Sequence, residues 1–200
     1  MVKVKDASVE YVKNVLAWHE EKRNRKHSLA VLDICEKIAE KLSTYGVNTD
    51  KNLLYKGALL HDIGKSVCEK DKHQHLQTRV LCGNLLSMKG KQHHRYAAIV
   101  IENRFDCEGE DNREFARKLF AVVEAHKGEF NPGADVAVEA AILRMADKIA
   151  HCGKKKSKKR KRAKEKYKEN LKEIRGYFNG CGLFLFKDFE IACKKAKNSM

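Results

Sequence analysis

The feature that most constrains the fold of this sequence is the helical spacing of its apolar residues. Between Arg25 and Leu42, for example, Val31, Ile34 and Ile38 fall on one face of a helix with 3.6 residues per turn. Proline, which breaks helices, occurs once in 200 residues, at Pro132. Segments in which apolar and polar residues alternate, as in strands, are scarce. The sequence therefore predicts an all-α fold.

The same spacing predicts further helices along the chain. The segment from Asn52 to His61 has apolar residues on one helical face, and the polar stretch from Glu69 to Thr78 predicts a loop. The sequence NPGAD at 131–135 signals a turn and the start of a helix. The remaining predicted faces are His94, Ala98, Ile101 and Phe105; Phe115, Leu119, Val122 and His126; Val136, Ala140, Leu143 and Asp147; and Tyr167, Leu171, Ile174 and Phe178.

Composition narrows the class of protein. Hydrophobic residues make up 42% of the chain, which is enough for a packed core and argues against general disorder. No apolar run approaches the roughly 20 residues of a membrane span, and the N-terminus lacks the apolar region of a secretory signal. The 7 cysteines include no CxxC pair, so we expect a reducing, cytoplasmic compartment and no disulfide framework.

Positive charge is concentrated near the C-terminal end. The chain carries 42 Lys and Arg against 27 Asp and Glu, a net charge of +15, of which +9 falls within residues 154–166. This basic segment predicts contact with nucleic acid or another polyanion, or else a solvated helix; it contains no aromatic residue for base stacking. We expect one domain at 1–153, with the basic segment and C-terminal helices of 154–200 packing on it.

Five ionisable residues lie on the apolar faces of different predicted helices, at or near helix ends. A buried polar group without a partner costs a few kcal/mol, and a shared metal ion would satisfy several such groups together. Neutral imidazole and carboxylate suit Fe, Mn, Zn or Co, so the pattern predicts a divalent transition-metal site. The residues are His27, His61, His94, His126 and Asp147, with Asp62 directly after His61.

Three segments carry a family resemblance. HSLAV at 27–31, LLHDIGK at 59–65 and MADKIA at 145–150 resemble the HD-domain superfamily of metal-dependent phosphohydrolases. The resemblance spans roughly Lys26 to Ala150 and implies a helical bundle with a metal site in its core. The residues that it implies as ligands are His27, His61, Asp62 and Asp147.

Two further histidines resemble the binuclear branch of this superfamily, which includes the symmetrical diadenosine-tetraphosphate hydrolases. His94 in HHRYAA and His126 in EAHKGE lie between the HD pair and the last aspartate. The resemblance implies that they complete the ligands of two ions bridged by Asp62. Arg95 and Lys127 stand where those hydrolases usually have Gly and Thr, so the substrate is left open. The absence of a GYP triad disfavours the cyclic-dinucleotide branch.

The resemblance implies hydrolysis of a nucleotide or other phosphoester by metal-activated water, with one or two ions bound. Asp62 and Lys65 are the predicted catalytic residues, since Lys65 lies one helical turn beyond His61 and offers a point charge to a phosphate. Two alternatives stay open: a nucleic-acid phosphodiesterase that uses the basic segment, and a binding module without turnover. The predicted phosphate contacts are Lys65, Arg95, Lys127 and Lys148.

Two other histidines have open roles. His93 precedes His94 and would replace it as a ligand if the helix were rotated by one residue, about 100°. His151 lies four residues after Asp147, on the same helical face, and predicts either a contact to the ligands or a helix-end cation.

Overall fold

The computed structural model describes residues 1–19, 22–65, 93–152, 157–182 and 186–199, so the loop predicted for Glu69 to Thr78 lies outside the described residues. Within those ranges the chain is almost entirely helical, which confirms the all-α prediction. The helices are α1 (Val9–His19), α2 (Lys22–Ser43), α3 (Lys51–Leu60), α4 (His93–Arg104), α5 (Glu110–Ala125), α6 (Ala137–Cys152), α7 (Ser157–Gly180) and α8 (Phe186–Asn198). A 3-10 turn (Ala134–Val136) precedes α6, and two strands are β1 (Val2–Lys3) and β2 (Phe105–Asp106).

Helix α6 lies at the centre of the fold. It packs against α2, α3, α5 and α7, and most of its side chains are buried. A helix that is enclosed by neighbours on several sides needs apolar residues around most of its circumference, and the segment from Ala137 to Met145 supplies them. Asp147 lies on this helix, so its carboxylate is held inside the fold.

Helices α3 and α5 approach each other closely at Gly57. A Cβ atom at this position would lie 3.0 Å from Cγ1 of Val122 on α5, which is tighter than ordinary packing. Glycine therefore lets the two helix axes come together. The two helices end at Leu60 and Ala125, and a histidine follows each of them directly in the sequence.

The predicted helix from Asn52 to His61 is observed one residue earlier at each end. Asp50 caps α3, because its side chain accepts a hydrogen bond from the Leu53 amide at 3.0 Å. His61 is the C-terminal cap of α3 and lies in the turn that follows the helix. None of the described helices combines the length and apolarity that crossing a membrane requires.

A short parallel pairing joins the N-terminus to the end of α4. Val2 pairs with Phe105 and Lys3 with Asp106, and the Val4 amide donates to the Asp106 carbonyl at 3.0 Å. Two-residue strands carry no alternating pattern, so the sequence did not predict them.

Lys56 is a buried cation on α3. It is 1% exposed, its ammonium donates to the Lys5 carbonyl at 2.8 Å and to the Asn52 side chain, and it lies 5.1 Å from the centre of the Phe115 ring. Burial lowers the pKa of Lys56 to about 8, although Asp50 and Asp6 oppose this shift. The charged ammonium therefore destabilises the folded state relative to the neutral amine.

We expect this burial to make folding stability rise with pH. Below pH 8 both states are protonated; between about 8 and 10.4 only the unfolded state keeps the proton, so raising the pH favours folding. Between pH 7.5 and 10, the free energy of unfolding of the wild type should rise by about 2 kcal/mol more than that of Lys56→Met. Urea unfolding at each pH measures this difference. Lys51→Met, an exposed lysine on α3, is the control, and parallel pH curves for wild type and Lys56→Met would contradict the assignment.

Candidate metal centre

His27 lies on the buried face of α2, one turn before Val31. The apolar residues that follow on this face anchor the helix in the core, while the His27 side chain is 14% exposed at the core's edge. Its Nε2 atom lies 3.0 Å from Oδ1 of Asp147 and 3.8 Å from Oδ2 of Asp62. Thus a residue of α2 meets two carboxylates that come from later parts of the chain.

His61 is held by the end of α3. The last carbonyls of a helix lack amide partners, and Nδ1 of His61 donates to the Ala58 carbonyl at 2.8 Å. This hydrogen bond fixes the proton on Nδ1 and leaves a lone pair on Nε2. The Nε2 atom is buried, has no hydrogen-bond partner and lies 3.4 Å from Oδ2 of Asp62.

His126 repeats this arrangement at the end of α5. It is fully buried, and its Nδ1 donates to the carbonyl of Val123, three residues earlier. Its Nε2 lies 3.9 Å from Oδ1 of Asp62, and its ring meets the His61 ring edge to face with centres 5.1 Å apart. Two helix ends therefore present Nε2 atoms on neighbouring sides of one carboxylate.

Asp147 is the carboxylate that α6 contributes. It is 3% exposed; besides His27, it contacts Nε2 of His151 at 3.3 Å and the ammonium of Lys148 at 2.6 Å. Burial by itself raises the pKa of a carboxyl group, but hydrogen bonds from His151 and His27 and the charge of Lys148 hold the pKa of Asp147 well below its usual range. Asp147 is therefore an anion inside the fold.

Burial controls the protonation of the histidines in different directions. Desolvation lowers the pKa of His27, and desolvation together with His61 lowers that of His126 well below its usual value. Burial also opposes protonation of His61, but Asp62 and Asp147 outweigh it and raise the pKa of His61. The neutral form of His27 and His126 is the form that binds metals.

One ligand atom each from His27, His61 and Asp147 could hold a metal ion, since the three atoms lie within 4.8 Å of one another. The buried Nε2 of His61, with no hydrogen-bond partner, is the observation that a metal ion would explain. A set of two imidazoles and a carboxylate, with Asp62 and His126 beside it, suits a divalent transition metal. The residues present therefore fit the metal that the sequence predicts.

Three lysines surround the two carboxylates. The Lys65 ammonium forms an ion pair with Oδ2 of Asp62, and Lys148 forms the corresponding pair with Asp147. Lys127 is half-buried; burial lowers its pKa, Asp62 opposes this shift, and the charge of Lys65 adds to it. The structure thus brings together three of the four predicted phosphate contacts, which lie after α3, after α5 and on α6.

Some predicted residues lie outside the described part of the site. The backbone of His93, His94 and Arg95 belongs to α4, but their side chains are outside the described residues. The assignments of His94 as a ligand and of Arg95 as a phosphate contact therefore stay predictions.

His151 contacts two of the predicted ligands, a role that the sequence left open. Its ring stacks on His27 with centres 4.6 Å apart and an interplanar angle of 21°, and its Nε2 lies near Asp147. The four-residue spacing from Asp147 was the only sequence signal, and it did not reveal that α2 brings a ring against this face.

We expect His151→Ala to weaken metal binding about tenfold or more without removing it, because partners of ligands typically contribute 10- to 100-fold. His151→Phe separates the two contacts, since it keeps the stacking on His27 and loses the nitrogen that faces Asp147. Competition with a chromogenic chelator measures the affinity. Wild-type affinity in both variants would show that His151 is not needed.

Comparison with known proteins gives one match. The family model described as HD domain matches residues 24–151, a span that contains His27, His61, Asp62, His126 and Asp147. No curated protein and no solved structure matches the chain.

Proposed function

Because this chain belongs to the HD-domain family, we propose that it is a metal-dependent phosphohydrolase that cleaves a nucleotide or other phosphoester. The observation that carries the proposal is the buried cluster of His27, His61 and Asp147, whose ligand atoms lie within 4.8 Å of one another. A cluster of this composition beside three lysines combines a cation site with groups that attract phosphate.

In this proposal His27, His61, Asp62 and Asp147 hold a divalent ion such as Fe, Mn, Co or Zn. When bound, the metal supplies a Lewis acid for a phosphoryl oxygen and activates water as the nucleophile. The chain's own contribution is orientation. The hydrogen bonds from His61 and His126 to the Ala58 and Val123 carbonyls fix both imidazoles before metal or substrate binds.

The lysines position the phosphate. Lys65 and Lys148 each lie against one carboxylate, so their ammonium groups are held at the edge of the ligand cluster. An ammonium beside the cluster stabilises the negative charge that develops on phosphoryl oxygens. Lys127 is a third, half-buried lysine in this region; burial lowers its pKa, and the charges of Asp62 and Asp147 oppose this shift.

The number of ions depends on His126 and His94. His126 approaches Oδ1 of Asp62, whereas His61 approaches Oδ2, so the two imidazoles face different oxygens of one carboxylate. This arrangement supports a second ion, for which Asp62 and His126 would supply ligand atoms, as the resemblance to the binuclear branch implies. Elemental analysis separates the two cases: about two ions per chain for a binuclear site, about one for a mononuclear site.

Metal removal tests the proposal. We expect the protein, purified without a chelating tag, to hydrolyse dinucleoside polyphosphates, other nucleotides or a chromogenic phosphodiester. A chelator should abolish this activity, and Mn, Co, Fe or Zn should restore it, because the nucleophile and the charge stabilisation both require the ion. Phosphate release and bound metal are measured on the same samples.

Two outcomes would contradict the proposed function. Hydrolysis that persists after the metal is removed would place the chemistry elsewhere. Stable metal binding without turnover of any phosphoester would favour a binding module that keeps the fold.

A further inference from the structure

A row of exposed cations on α7 lies outside the candidate metal centre. We propose that this row binds the phosphate backbone of a nucleic acid without reading its base sequence. The proposal concerns binding and does not rest on the proposed hydrolysis. The cation row is defined as Lys161, Lys164, Lys168, Lys172 and Arg175.

The geometry of α7 sets these residues on one side. Their spacing of three or four residues keeps them on one helical face, and all five are exposed. An adjacent side of the helix is buried against α6 and α8. Its buried residues are Tyr167, Asn170, Leu171, Ile174 and Phe178.

The first half of the row lacks neutralising partners. Within the described residues, Lys161, Lys164 and Lys168 form no ion pair, although Glu165 lies on the same helix. Some other surface lysines are paired, for example Lys37 with Asp33 at 2.8 Å. Like charges three and four residues apart repel one another, so binding of an anion would relieve a repulsion that the fold leaves in place.

The length of the row suits a polymer better than a small anion. The helix rises about 1.5 Å per residue, so the row is about 21 Å long. A nucleic-acid strand advances about 3.4 Å per phosphate along a duplex axis, so about six phosphates cover that length. A single phosphate could contact only one or two of these cations at a time.

The sequence extends the same charge beyond the row. Residues 154–166 hold ten Lys or Arg and one Glu. The HD-domain match ends at residue 151, so this charge lies outside the span that matches the family. The charge is therefore a property of this chain's own C-terminal part.

Antiparallel packing brings the start of the row to the half of α6 that carries Asp147. Arg144 on α6 donates to Asn170 and pairs with Glu173 on α7. Helices α6 and α7 are separated by only four residues and pack against each other, so they run in opposite directions. The part of α7 before Asn170 therefore lies beside the part of α6 after Arg144. A strand bound along the row would pass on the same half of the molecule as the metal centre.

The exposed residues of this segment favour a nucleic acid over a membrane. From Lys161 to Arg175 the exposed side chains are Lys, Arg and Glu, and none is apolar. A helix that binds a membrane surface inserts an apolar face, and the apolar face of α7 is already buried in the fold. No exposed aromatic in this segment offers a stacking surface, so we expect phosphate contacts alone.

The test is the salt dependence of oligonucleotide binding to the protein as purified. Fluorescence anisotropy is measured with labelled DNA and RNA single strands of about 20 nucleotides, and a gel checks that the strands stay intact. The row variant carries Lys161→Gln, Lys164→Gln and Lys168→Gln. The control variant removes equal charge from exposed sites on β1, α3 and α5, with Lys3→Gln, Lys51→Gln and Arg113→Gln.

We expect both strands to bind, with affinity falling steeply as salt rises. The row variant should lose about 100-fold in affinity at about 0.1 M salt and reduce the slope of log K against log salt by about 2, since each phosphate contact contributes about 0.7. The control variant should change affinity less than about threefold. Hydrolysis of a small phosphoester should be equal in wild type and row variant, which separates this inference from the proposed function.

Three results would overturn the inference. One is absence of binding by the wild type at low salt. Another is an equal loss in the row and control variants, which would show that overall charge attracts the strand. The third combines two measurements on the row variant: it still binds the oligonucleotide, but it no longer binds phosphatidylserine-containing vesicles. That result would identify a membrane surface as the partner.

Discussion

Replacing Asp62 by alanine is expected to remove bound metal and reduce phosphoester hydrolysis by about a thousandfold or more. Asp62 is 2% exposed, and its two oxygens lie 3.4 Å from His61, 3.8 Å from His27 and 3.9 Å from His126. No other described carboxylate faces all three imidazoles at these distances. Its loss leaves the imidazoles without the central anion and Lys65 without its ion-pair partner.

The control is Asp33→Ala, which removes an exposed carboxylate of α2 that pairs with Lys37. Its metal content and rate should stay within about twofold of the wild type, because exposed ion pairs contribute little. Asp62→Asn keeps the shape of the side chain and should preserve the helical circular-dichroism signal while losing metal. Hydrolysis at the wild-type rate by Asp62→Ala would exclude the proposed site.

Replacing Arg144 by methionine is expected to lower the free energy of unfolding by about 3 kcal/mol or more. Arg144 is 4% exposed and donates to the Ala125 and Gly128 carbonyls at 2.9 Å each. It also contacts Asn170 and Glu173, which anchor α7. The methionine fills similar volume but leaves buried acceptors without donors, and each of these costs about 1–3 kcal/mol.

Arg117→Met is the matched control, since Arg117 is also an ion-paired arginine but its side chain is 52% exposed. Its loss should cost less than about 1 kcal/mol, measured like Arg144→Met by urea unfolding of the protein as purified. Because Ala125 directly precedes His126, Arg144→Met should also weaken metal binding in variant protein that remains folded. A stability loss below about 1 kcal/mol would show that the carbonyls find other donors.

Much of the fold was predictable because helices depend on local periodicity. The helix predicted from Arg25 to Leu42 is observed from Lys22 to Ser43, and the spacing of Leu54, Ala58 and their neighbours indicated α3. The pairing of β1 with β2 was not predictable, because it joins residues about 100 positions apart through two-residue segments. The spacing of residues within either segment does not predict a contact between segments so far apart in the sequence.

The candidate site was predictable in part. His27, His61 and Asp147 stood out because ionisable groups on apolar faces need partners, and the structure gathers their ligand atoms within 4.8 Å. The stacking of His151 on His27 depends on how α2 crosses α6 and was invisible in the sequence. So was the anchoring role of Arg144, whose partners come from α5, α7 and the turn between α5 and α6.

The sequence by itself therefore determined the helical fold, the family and the types of metal-binding side chains, because periodicity and short motifs are local properties. Tertiary structure decided which nitrogen of His61 faces the carboxylates. Nδ1 donates its hydrogen bond to the Ala58 carbonyl at the end of α3, so Nε2 is the nitrogen on the side of the carboxylates. Tertiary structure also decided which charges are buried and paired and which stay exposed, as Lys148 and the cation row illustrate. Those outcomes depend on how helices pack, and packing joins residues that the sequence keeps far apart.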